Sequence, residues 1–146
     1  MKEKLLYEGM RCPVCENSQL KLRNQVTNFE YKGVPSKIEK EVLKCDACEE
    51  FFFQPKDERE IEKILADERR KIDGLLTTSE IKAIRNKFGM SQVNFSKFLR
   101  LSEKAFARYE SGQSNQNVAV DNLLRVLRDY PTAIEIFNSI PRKATA

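Results

Sequence analysis

Two cysteine pairs, Cys12-Pro13-Val14-Cys15 and Cys45-Asp46-Ala47-Cys48, hold all 4 cysteines of a 146-residue chain that contains no histidine. Two residues between the members of each pair let the backbone turn sharply, so that both sulfurs face one point. Two such turns supply four thiolates, the closed tetrahedral shell that structural zinc prefers. With no histidine to share the coordination, the soft-metal site this chain can build is an all-cysteine one. The pattern is therefore read as one structural Zn²⁺ held by Cys12, Cys15, Cys45 and Cys48. A closed shell leaves no open position for a substrate, so no chemistry is expected at the metal.

Four cysteines have other uses. Disulfides need an oxidising compartment, whereas Met1-Lys2-Glu3-Lys4 leads into only a short apolar stretch, so a leader is not expected and a cytoplasmic location is. A redox-active CxxC would be single and set in a βαβ context. An iron–sulfur cluster makes the same demand for four thiolates, and spacing alone does not separate iron from zinc. No apolar run reaches the roughly 18 residues that would cross a membrane. Without histidine or a glycine-rich phosphate loop, and with the cysteines committed to metal, an enzyme is not expected.

The remainder of the first third has strand character over residues 21–31 and 36–44, separated by Lys32-Gly33-Val34-Pro35 as a turn. A hairpin there returns Cys45 and Cys48 to Cys12 and Cys15. So small a domain has little core, and the metal is expected to contribute most of its folding free energy. Phe51-Phe52-Phe53 should pack on this lobe. Residues 57–73 read as a mostly solvated connector helix, acidic at its start (Asp57, Glu58, Glu60) and basic at its end (Arg69, Arg70, Lys71), in keeping with the helix dipole. Gly74 then serves as stop and hinge. The organisation is thus an α+β chain: a zinc-binding β-hairpin domain over 1–56, a connector over 57–75, and a five-helix domain over 76–146.

The five helices are read from caps and apolar spacing. Thr77-Thr78-Ser79-Glu80 has the form of a capping box, followed by Ile81, Ile84 and Phe88. Ser91 caps a second helix and Ser102 a third, from Glu103 to about Ser111, which Gly112 stops. A longer helix carries Val120, Leu123, Leu124 and Leu127, and Pro131 begins the last. Residues 76–146 contain 11 basic and 6 acidic side chains, whereas 1–56 contain 10 and 9, so the positive surplus lies in the helical half and favours a polyanionic partner.

Met90-Ser91-Gln92, the short connection Arg100-Leu101-Ser102, and Phe106-Ala107-Arg108-Tyr109-Glu110-Ser111-Gly112 together resemble the helix-turn-helix of the phage-repressor-like (XRE/Cro) family, over about residues 78–130. Leu101, Phe106 and Tyr109 are placed to pack the third helix inward. Lys104 and Arg108, four residues apart, share its outer face, where a major-groove helix meets guanine O6 and N7. Ser91, Gln92 and Ser102 sit at helix starts that suit phosphate, and Lys97 and Arg100 are further phosphate-contact candidates. Arg100 replaces the glycine usual at that turn, so either a strained left-handed residue or an altered turn follows, and a slightly altered turn is expected.

Taken whole, a CxxC…CxxC lobe joined to this helix-turn-helix resembles the MqsA-type, or YgiT-type zinc-finger, antitoxins. The Cys-Pro-Val-Cys start and the Leu123-Leu124-Arg125-Val126-Leu127 run carry the likeness. It implies a homodimer formed through the helical half, a palindromic double-stranded operator, repression of the chain's own operon, and a zinc lobe that neutralises a partner toxin, typically an mRNA-cleaving ribonuclease. Val118, Val126, Ile136 and Ile140 exceed what a small monomer core needs and suit either core or dimer. Lys104 stands where the family often has asparagine, so a different operator sequence is expected. A stand-alone zinc-containing helix-turn-helix regulator is the alternative reading.

Overall fold

The computed structural model describes residues 5–141; the Met1-Lys2-Glu3-Lys4 start read above for a leader lies outside them. Two compact units divide between Leu65 and Ala66. The first is built on a long antiparallel hairpin, β1 (Leu20–Tyr31) and β2 (Val34–Cys45), to which the two-residue β3 (Phe51–Phe52) adds opposite Leu43 and Lys44.

The strands run further than the sequence pattern suggests. Only Lys32 and Gly33 form the turn, with φ of 51° and 78°, the two positive values that match a two-residue turn to the twist of its strands. Val34 and Pro35, expected in the turn, belong to β2. In such a hairpin the pair flanking the turn, Tyr31 with Val34, is the hydrogen-bonded one. The next pair, Glu30 with Pro35, falls where β1 asks no N–H of its partner, so proline takes nothing from the ladder.

Alternation then sorts the faces. Leu20, Leu43 and Cys45 join Cys12 in a small core without exposed surface, against which Leu6, Leu22 and Phe52 pack. On the opposite face of β2, Ile38 and Val42 are also buried. Lys40 between them is held by Asp57 at 3.6 Å and Glu60 at 2.6 Å. The expected packing of the phenylalanine run is seen in part: Phe52 packs against the core, whereas Phe53 is exposed and meets Phe51 edge-on with centroids 5.7 Å apart.

A 3₁₀ turn (Pro55–Asp57) leads into α1 (Glu58–Asp73), which carries acidic residues first and Arg70 and Lys71 last, as the dipole favours. This helix is less solvated than expected, because Arg70 near its end has no exposed surface.

The second unit contains α2 (Thr78–Lys87), α3 (Gln92–Phe98), α4 (Ala105–Ser111), α5 (Val118–Asp129), a 3₁₀ turn (Pro131–Ile134) and the one-turn α6 (Glu135–Asn138). The capping box is present, with Thr77 and Glu80 bonding each other's backbone N–H groups. Ser91 caps α3, Asn117 caps α5, and Gly112 ends α4 in the left-handed region at φ 83°. Leu76, Ile81, Ile84, Phe95, Leu99, Phe106, Val120, Leu124 and Leu127 form one buried core. At its centre Phe95 and Phe106 meet with ring centroids 4.7 Å apart. Val118, Val126 and Ile136 are not part of that core; they are 67%, 47% and 63% exposed.

Two local expectations are corrected. Helix α4 starts at Ala105 with Lys104 at its N-cap, and no side chain caps it; the Ser102 contribution is its carbonyl, which accepts the Ala105 N–H at 2.9 Å. The turn after α3 is not altered. Arg100 takes φ 59°, its N–H reaches the Lys97 carbonyl, and the Leu101 N–H reaches that of Ser96. These two bonds are the Schellman motif that a glycine would make without strain. The arginine bears the left-handed conformation, and the turn keeps its form.

Candidate metal centre and nucleic-acid interface

The two cysteine turns have the same internal geometry. The Glu16 N–H donates to the Cys12 carbonyl and the Glu49 N–H to that of Cys45, each at 3.0 Å. Both glutamates sit in the left-handed region, at φ 56° and 63°, which folds each chain segment back under its sulfurs. The hairpin register closes the site, since pairing Leu20 with Cys45 brings the second turn beside the first.

All four sulfurs lie within 4.8 Å of one another. Cys12 and Cys48 are 3.7 Å apart, and Cys15 and Cys45 are 3.6 Å apart. Four thiolates around one ion at a metal–sulfur distance of about 2.3 Å would be separated by about 3.8 Å, so the donor set fits a tetrahedral soft metal. Bonded sulfurs would be about 2.05 Å apart, so none of the four cysteines is in a disulfide.

Opposition between neighbouring sulfurs is seen at Cys45 and Cys48. The Cys48 backbone N–H, opposed by burial, brings Cys45 down to about 7. The Glu50 N–H favours the Cys48 thiolate, but burial and the other sulfurs push that thiol up to about 12. A dication reverses this opposition, so loading the site releases protons. At the rim, Asp46 accepts from Lys21 at 2.9 Å and Arg23 at 3.3 Å, and these cations, Lys21 foremost, hold its carboxyl below the usual range.

In the helical unit, the predicted nucleic-acid residues fall into two groups. Lys104 and Arg108 are exposed, and among the described residues their side chains enter no ion pair. Ser102 is exposed just before them. The others are already engaged. The Ser91 hydroxyl accepts the Asn94 N–H at 3.1 Å. The Gln92 amide donates to Glu110 at 2.9 Å. Lys97 pairs with Glu103 at 2.7 Å and lowers its pKa. The Arg100 guanidinium donates to the Pro141 carbonyl at 3.1 Å.

What holds the two helices together was not legible beforehand. Glu110, the acidic residue of the signature stretch Tyr109-Glu110-Ser111-Gly112, is buried and takes Arg85 in a two-point contact at 2.6 and 3.0 Å. Arg85 also donates to the Met90 carbonyl at 2.8 Å, so α2, the start of α3 and α4 share one polar junction. The Ser96 hydroxyl, buried, accepts the Phe106 N–H at 3.2 Å and donates back to the Gln92 carbonyl. The signature's glutamate was the available signal; nothing in the sequence named Arg85 as its partner.

Comparison with known proteins agrees with both halves. The model of a family described as the antitoxin component of the bacterial toxin-antitoxin system, MqsA, matches residues 10–137. The antitoxin MqsA of Escherichia coli (strain K12) is 26% identical over 138 residues, covering 90% of this chain and 99% of that protein. Among the described residues no helix is long and apolar enough to cross a membrane. With one match running through the cysteine turns and the helix-turn-helix alike, the chain belongs to the MqsA family, the antitoxin component of a bacterial toxin-antitoxin system.

Proposed function

We propose that this chain acts in the bacterial cytoplasm as an antitoxin with two working surfaces. The helical unit binds a palindromic operator as a homodimer and represses its own operon. The N-terminal unit, organised by one structural Zn²⁺, neutralises a partner toxin, an mRNA-cleaving ribonuclease.

The observation that carries the DNA half is the state of Lys104 and Arg108. Both are exposed at the helix-turn-helix and free of ion pairs among the described residues, whereas nearby Lys97 and Arg85 are committed to carboxylates. Cations left unpaired beside a well-fixed short helix suit guanine edges in a major groove. Ser91, Gln92 and Ser102 lie at the starts of α3 and the turn into α4, where backbone N–H groups approach phosphate. Lys97 and Arg100 join them if their present partners are exchanged for phosphate.

A single recognition helix reads few base pairs, so a twofold dimer is required for a specific site. Exposed Val118, Val126 and Ile136, with Tyr130 at 70%, provide apolar surface on α5 and beyond that dimerisation would cover. A single Zn²⁺ is favoured over an iron–sulfur cluster because the four sulfurs lie within 4.8 Å of one another, close enough to share one tetrahedral ion.

The test is co-expression of the full chain, tagged at its N-terminus, with the product of the adjacent gene, alongside footprinting of its own promoter. A stoichiometric partner, rescue of growth and a specific footprint support the proposal. A footprint without a partner would leave a stand-alone regulator.

A further inference from the structure

Helix α4 is only seven residues long and has no side-chain cap, yet it must hold Lys104 and Arg108 at a set angle. Two of its anchors come from the helix-turn-helix itself: Ser96 at the Phe106 N–H and the Arg85–Glu110 pair. The third comes from outside it.

Arg70 lies on α1 and has no exposed surface. One guanidinium nitrogen donates to the carbonyl of Tyr109, in the last turn of α4, at 3.1 Å, and to that of Ser114, in the loop that follows, at 2.7 Å. The other terminal nitrogen meets Asp67 at 3.4 Å. The Asp67 carboxylate accepts the Thr78 backbone N–H at 2.8 Å and the Thr78 hydroxyl at 2.7 Å, and Thr78 is the first residue of α2. One pair of side chains on α1 therefore ties the start of α2 to the end of α4.

Burying a guanidinium is costly, and an apolar side chain of similar size often serves stability as well. What the planar fork adds is geometry: it fixes carbonyls of two separate segments at a defined spacing. Its positive charge also faces the negative end of the α4 dipole.

We infer that Arg70, oriented by Asp67, is a positioning residue for operator recognition, fixing the exit of α4 and with it the angle at which Lys104 and Arg108 meet DNA. The inference rests on the DNA-binding reading proposed above. It extends the DNA-binding unit back into α1, a helix the sequence pattern assigns only to connection.

Full-length, metal-loaded Arg70→Lys and Asp67→Asn are compared with wild type and with Arg108→Ala. Affinity is measured for the chain's own promoter fragment and for an unrelated duplex across a salt series, below the thermal midpoint of each protein. A loss of about tenfold on the promoter is expected for Arg70→Lys, the scale of one weakened base contact. The unrelated duplex and the salt slope should not change, because every phosphate-facing cation remains.

A fall on both duplexes with a shallower slope would make Arg70 a phosphate contact and overturn the positioning role. Failure of both variants to fold at any temperature would make the pair a folding element and overturn it too. If Arg108→Ala loses specificity while Arg70→Lys and Asp67→Asn bind as wild type, DNA recognition stands and this inference falls. Wild type that does not distinguish the promoter overturns the DNA-binding reading itself, and the inference with it.

Discussion

The two units solve the problem of small size in opposite ways. Among the described residues, the N-terminal unit packs four buried residues around the metal site, two of them cysteines, with Ile38 and Val42 buried on the opposite face. The helical unit has nine buried apolar side chains packed together, reinforced by buried polar junctions at Glu110, Asp121 and Arg70. Apolar burial alone seldom stabilises so small a hairpin domain. There we assign the cohesion to the metal that the four gathered sulfurs would hold. In the helical unit, polar groups fix the relative angles of helices that an apolar core already holds.

Removing the metal should separate the two most sharply. Chelation, or Cys12→Ser, is expected to abolish the hairpin fold, since structural zinc contributes on the order of 10 kcal/mol to small domains. The helical unit should keep its cooperative melt, and strand and helix signals followed separately by NMR would show whether it does. Joint loss would contradict independent units.

The converse cut lies at Glu110, where both partners are nearly buried, at 11% and 5% side-chain exposure. Glu110→Gln leaves Arg85 without its charge partner and should destabilise the helical unit by about 3–5 kcal/mol, with the metal site unaffected in a thiol-accessibility assay.

Acid should unfold both units for different reasons. In the first, protons compete with metal for sulfur. In the second, burial opposes the Asp121 carboxylate, but Arg125, the Leu76 N–H and Gln116 outweigh it and hold its pKa below the ordinary value. Its contribution is therefore complete above the usual carboxylate range, near pH 4, and is lost as pH falls through its lower folded value. Asp121→Asn should be less stable at neutral pH and flatten this part of the acid curve, read by circular dichroism.

Smaller effects probe function and strain within the helical unit. Arg108→Ala should weaken specific promoter binding by about 1–3 kcal/mol without changing the melt; unchanged affinity would remove it from the recognition surface. Arg100→Gly should raise the melting midpoint, because relief of a left-handed non-glycine residue gains about 1 kcal/mol. An unchanged midpoint would show that the bond to Pro141 offsets the strain.

Features governed by neighbours in sequence were legible from the start. The two CxxC turns, the Thr77 box, the Ser91 cap and the Gly112 stop each depend on a few adjacent residues, and each appears in place. The α4 start was misplaced because Ser102, a good cap residue, stands where the chain uses only a carbonyl. Val34 and Pro35 were read as turn because proline disfavours strands, a rule that lapses at a position needing no N–H.

By itself, the sequence determined the metal-binding chemistry, the helical half and the family resemblance, since spacing, caps and signature residues are local information. Only the tertiary structure decided which polar groups are spoken for. Arg85 with Glu110 and Arg70 with Tyr109 and Ser114 are separated by 25 to 44 residues. An arginine's exposure and partner are set by the packing of whole helices around it, not by its neighbours in the chain. That is why Lys104 and Arg108 stand apart from Lys97, Arg85 and Arg100 only once the fold has engaged those three.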